Sequence, residues 1–181
     1  VTFVLKHRAH ERIADAMLAF PDDQKLQAIG LWALRAHAAH TKLAKRLAAS
    51  PTVLSAVTAA ARKHAADTEF AQQTCALLAA LLQAATGDGQ RFADAGVPAV
   101  LVAALASHAD NRDIARGAAA GLHAAAKLKR LRERMAVGEQ SVAAGVVAAL
   151  MGQAAEDEEV AAELLAALSA MAGVAGFVAA A

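Results

Sequence analysis

The sequence predicts an all-α chain of about four similar helical units stacked side by side, and three observations predict it. The first is a recurrence. Leu34, Leu78, Leu122 and Leu168 lie 44, 44 and 46 residues apart; eight residues before each stands Leu26, Phe70, Ile114 or Val160, and three before that Asp23, Asp67, Asn111 or Asp157. A fixed period of this length is the signature of a stacked repeat. The second is composition. Of 181 residues 57% are apolar but only 3% aromatic, with no Tyr, so burial has to come from many small contacts between alanine-rich helices. The third is that no segment has the alternation and β-branched enrichment of a strand.

Asp and Asn accept hydrogen bonds from the free amides of a helix's first turn, so the polar column reads as four N-caps. The apolar and leucine columns are a little over two turns apart and share a face. Gly30, Thr74, Ala118 and Leu164 fall between them on that face, mostly small, so another helix can approach closely. In order, residues Val1 to Arg8 read as the remnant of a helix, His10 to Phe20 as a helix stopped by Pro21-Asp22-Asp23, and Gln24 to His40 as the next. Thr41 to Ala49 is a basic helix; Ser50-Pro51 is an N-cap with proline at the first helical position, opening a helix to about Lys63. Thr68 to about Ala84 follows. Turns at Thr86 to Gly89 and at Gly96-Val97-Pro98 bracket a short helix, Gln90 to Ala95, before one starting at Pro98. The last unit has helices over Leu131 to Val137, Ser141 to Met151 and Glu158 to Ala172, with a break at Gly138. The units are approximately 1–40, 41–85, 88–128 and 129–173, and 174–181 opens another.

This order of short helix, turn, second helix and capped third helix resembles the armadillo repeat, whose third helix follows roughly D-x-x-V-x-x-x-A-x-W-A-L. DDQKLQAIGLWALRAH and the unit Gly96 to Lys127 carry the likeness most closely; the related two-helix HEAT repeat is the alternative, and the separate short helix after Gly89 and Gly138 favours armadillo. The resemblance implies a right-handed α-solenoid that binds a protein or peptide on its concave third-helix face. In peptide-binding members an Asn lies two residues after the column leucine, but here those positions are Ala36, Ala80, Ala124 and Ala170; the tryptophan column keeps only Trp32. Nuclear-import-type recognition of basic peptides therefore ranks below a general interaction scaffold.

Positions four apart on the third helices line one inner face, mostly alanine, with Trp32, Ala36, Gln72 and Arg116 as candidate contacts and His123 beside them. Trp32 reads equally as a groove anchor and as part of the core. The pairs His7/His10 and His37/His40 have metal-like helical spacing but lack a third ligand other than Glu11, so solvated histidines are expected and no metal or cofactor. Gly87-Asp88-Gly89 follows a helix rather than a strand, which leaves a phosphate loop unsupported. The basic run KLKRLRER, Lys127 to Arg134, is ordinarily a solvated helix face; a net charge of +1 argues against nucleic acid or acidic lipid, leaving an acidic protein as its better functional partner.

Leu164 to Ala181 carries no charge, but its Ala and Gly content favours a buried helix over a membrane span. One cysteine, Cys75, in an apolar run reads as a core thiol in a reducing compartment, so the expected location is cytoplasmic, with the nucleus open as well. The leading expectation is a non-enzymatic scaffold within a longer repeat chain; the alternative is a regulatory armadillo segment of a larger multidomain protein or enzyme. Apolar ends place Phe3 and Phe177 near open stacking faces, with adjoining repeats beyond them.

Overall fold

The computed structural model describes residues 8–87, 89–137, 142–152 and 156–174. Phe3, His7, Asp88, Gly138 and Phe177 lie outside them. The described residues form eleven α-helices and no strand: α1 (Ala9–Ala19), α2 (Gln24–Ala38), α3 (Thr41–Ala49), α4 (Pro51–Lys63), α5 (Thr68–Ala84), α6 (Gln90–Asp94), α7 (Val97–Ser107), α8 (Arg112–Ala126), α9 (Lys129–Val137), α10 (Val142–Met151) and α11 (Glu158–Ala172). Every third helix is equivalent. α2, α5, α8 and α11 pack side by side in that order as one row, and α1, α4, α7 and α10 as a second; the short helices α3 and α9 touch both rows, and α6 lies against α4, α7 and α9.

Local chemistry starts these helices where the sequence places them. The Leu26, Phe70 and Ile114 amides donate to Asp23, Asp67 and Asn111 at 3.0, 3.0 and 3.1 Å. Asp157 accepts from Glu159 at 3.1 Å and Val160 at 3.4 Å. Each cap thus satisfies an amide that helical geometry leaves unpaired, typically worth about 1 kcal/mol. Ser50 caps α4 through the Val53 amide at 3.4 Å, with Pro51 opening the helix. Between α6 and α7, Gly96 takes φ 72°, a left-handed value that glycine adopts at little cost.

The column reading holds for three units and shifts in the fourth. Leu34, Leu78 and Leu122 are fully buried, whereas Leu168 is only partly buried and Leu164, Ala167 and Met171 fill the inward positions of α11. Leu168 stands eleven residues after its cap as the other three leucines do, so the difference lies in which side of α11 turns towards its neighbours. Gly30, Thr74, Ala118 and Leu164 are all buried, and small side chains do set the spacing. A Cβ on Gly30 would lie 2.7 Å from Met17 Sδ, and one on Gly121 2.9 Å from Leu101 Cδ1. Helices that meet over alanine and glycine gain from dispersion at close range what they lack in side-chain area.

Leu122 tests this packing. Leu122→Asp would bury an unpaired carboxylate between α8 and its neighbours, and urea titration should show a loss of more than about 3 kcal/mol. An unchanged midpoint would mean that this column is not core.

Candidate interaction face

The outward side of the third-helix row carries the residues singled out from sequence, but in two different states. Leu31 and Leu34 occupy the buried side of α2 and turn Trp32 the other way, so its side chain is 59% exposed rather than part of the core. Ala36, one turn on, is exposed as well. Gln72, Arg116 and His123 are half-buried and bonded to the next helix in the row. Gln72 Nε2 donates to Asp113 Oδ2 at 3.0 Å. Arg116 Nε donates to Asp157 Oδ2 at 3.2 Å and its Nη2 meets Glu159 Oε2 at 3.0 Å, while His123 Nδ1 pairs with Glu163. Three expected ligand contacts are therefore ties between units.

These ties belong to a ladder that the sequence reading missed. Gln24 Nε2 donates to Asp67 Oδ2 at 3.0 Å, Arg35 donates to Gln73, and Arg112 joins Arg116 on Asp157. In each rung from Gln24, Arg35, Gln72, Arg112 and Arg116 the donor lies on the earlier helix and the acceptor on the next. The spacing of about one repeat between donor and acidic first turn was the available signal. Hydrogen bonds from the Phe70 amide and Gln24 hold the Asp67 carboxyl below its ordinary range, and Arg112 foremost does the same for Asp157.

Beside Trp32 the row opens. A cleft of about 220 Å³ runs between α2 and α5, walled by Leu31, Trp32 and Phe70 and edged by Asp67, Glu69 and Gln73. An exposed indole face beside carboxylates suits a cation on an alkyl stem: the ring attracts the charge, the carboxylates pair with it and the stem covers apolar surface.

The other sequence candidates resolve into structural roles. In the basic run Leu131 is buried, as is Met135 just after it, and Leu128 packs against the core, turning the cations outward. Arg132 Nη1 donates to the Ala126 carbonyl and Arg134 Nη1 to Asp94 Oδ1, each at 3.3 Å. Among the described residues no three His, Cys, Asp or Glu side chains gather as a metal site would need, and no helix is long and apolar enough to cross a membrane. His10 and His37 were expected to be solvated; instead His10 is 4% exposed, and the Nδ1 atoms of both rings are buried without a hydrogen-bond partner among the described residues.

Burial lowers the pKa of both rings below 6.5; Arg46 and Arg8 reinforce this at His10 against the opposing Glu11, and His10 and His40 reinforce it at His37. The unfolded chain therefore takes up protons that the folded chain resists. Stability should be level above 6.5 and fall as the pH drops through that value towards the depressed folded pKa values. Thermal melts from about pH 7.5 to 5 should show a decline that His10→Gln reduces, and identical pH profiles would remove His10 as a cause. No protein-family model, curated protein or solved structure matches the chain.

Proposed function

We propose that the chain is a non-enzymatic protein-interaction module, a right-handed solenoid of armadillo-type units that receives a segment of a partner protein along its third-helix face. The reading draws on the period of the capped helices, on the two rows of equivalent helices and on the short helices beside them. The observation that carries it is Trp32. An indole standing mostly in water beside Phe70, Asp67 and Glu69 leaves a large apolar surface that a partner's side chain would cover. The chemistry of that cleft selects a lysine or arginine of the partner. An acidic segment would be drawn to the outward cations of Lys127 to Arg134 instead.

Panning a random peptide library against the chain tests this assignment. Selected peptides should be enriched in Lys or Arg, and Trp32→Ala or Glu69→Lys should weaken them about tenfold or more with the helical circular dichroism unchanged. Arg116→Glu should act differently, because it sets like charges against Asp157 and Glu159 and lowers the melting temperature whether or not peptide is present. Peptides that bind Trp32→Ala and Glu69→Lys as tightly as the parent would move the site away from this cleft.

A further inference from the structure

The rungs between third helices follow a register, and at one junction a donor is missing. The residue just after a cap reaches the next cap: Gln24 donates to Asp67 at 3.0 Å, and Arg112 to Asp157. The residue one turn further on reaches the acid two places beyond the next cap. Gln72 donates to Asp113 at 3.0 Å, and Arg116 Nη2 meets Glu159 Oε2 at 3.0 Å. Between α2 and α5 the corresponding residues are Ala28 and Glu69. The alanine methyl has nothing to donate. No side chain among the described residues bonds to the Glu69 carboxylate, which stands exposed in the wall of the Trp32 cleft.

The junction of α8 and α11 shows what is absent here. Arg116 lies between two carboxylates there, its Nε 3.2 Å from Asp157 Oδ2 and its Nη2 on Glu159. Asp67 and Glu69 stand at the same two places in α5. Asp67 Oδ2 accepts from Gln24 as Asp157 Oδ2 accepts from Arg112, so the acceptors correspond and the second donor is what differs. Access is open. Ala28 and Asp67 are half-buried and Glu69 is exposed, and all three line the cleft with Trp32.

We infer that an arginine of the partner enters this cleft past Trp32 and supplies the rung that Ala28 leaves out, bridging Asp67 and Glu69 as Arg116 bridges Asp157 and Glu159. This rests on the Trp32 cleft being the interaction site. Arginine suits the place better than lysine. Its planar fork presents donors to two carboxylates at once and its weakly hydrated face stacks on an indole, whereas an ammonium is a compact, strongly hydrated point charge. Occupancy also has a structural effect, because a bound guanidinium ties α5 to the cleft wall of α2 and so stabilises the first unit against the second.

Two measurements test this, and the first needs no ligand. Ala28→Arg supplies the donor within the chain, and the melting temperature should rise by about 1–4 °C, the scale of one exposed ion pair in a chain of this size. Glu69→Gln in the same chain should cancel the rise, and Ala28→Met, of similar reach but uncharged, should not produce it. No rise, or one that survives Glu69→Gln, would overturn the vacant rung. The second is amide chemical-shift titration of the whole chain with the N-acetyl amides of arginine and lysine. The arginine compound should shift residues around Trp32 and Glu69 and bind at least about fivefold more tightly than the lysine compound. Equal affinities at Trp32 would overturn the arginine assignment while leaving the cleft an interaction site for cations. Shifts at Trp32 from neither compound would remove the cleft as the interaction site, and this titration of the parent chain decides the matter even if Ala28→Arg does not fold.

Discussion

One side-chain oxygen at the start of each third helix sets the register on which the row depends. Asp23, Asp67, Asn111 and Asp157 each close the first turn of their own helix. Two of them also accept from the helix before: Asp67 from Gln24, and Asp157 from Arg112 and Arg116. The same carboxylate therefore fixes where a helix begins and how its neighbour lies against it. Ionisation serves both tasks, since an anion is favoured by the amide dipoles of the first turn and by a cationic donor across the gap. In the third unit the tasks divide. Asn111 caps, and Asp113 two residues later takes the rung from Gln72.

Small residues allow this arrangement and also leave its openings. Gly121 and Ala118 let α8 lie close against its neighbours, where larger side chains would push the helices apart. Where alanine faces alanine without such close approach, space remains, as between α4 and α7. The opening at Trp32 has another origin. The two inward leucines of α2 fix the helix's rotation, and the indole follows from it as the residue left on the open side.

The elements were legible because their causes are local. Caps, the Ser50-Pro51 start and the Gly96 turn each depend on a few adjacent residues, and α3, α5 and α11 begin and end where those signals place them. Burial of Leu34, Leu78 and Leu122 followed from helical spacing alone. Leu168 did not, because inward direction in α11 depends on how the fourth helix is rotated against α8, and the spacing column carries no information about that rotation. Gln72, Arg116 and His123 were misread as free contacts for a related reason: their partners lie about one repeat away, and only the neighbour's register brings them together. His10 and His37 read as solvated from the sequence, yet they sit on adjoining helices that bury the Nδ1 atom of each ring.

The one-way order of the ladder also constrains how such a chain can lengthen by internal duplication. A second copy of the third unit placed after the first would set Arg116 opposite another Asp113, where Gln72 now donates, and the joint would be electrically matched. A second copy of the fourth would set Glu158 and Ala162 opposite another Asp157 and Glu159, placing acid against acid with no donor between them. Units of this chain are therefore not interchangeable bricks. Each carries a leading and a trailing edge, and a recombined gene would produce a sound array only when every trailing edge supplies a donor for the edge that follows.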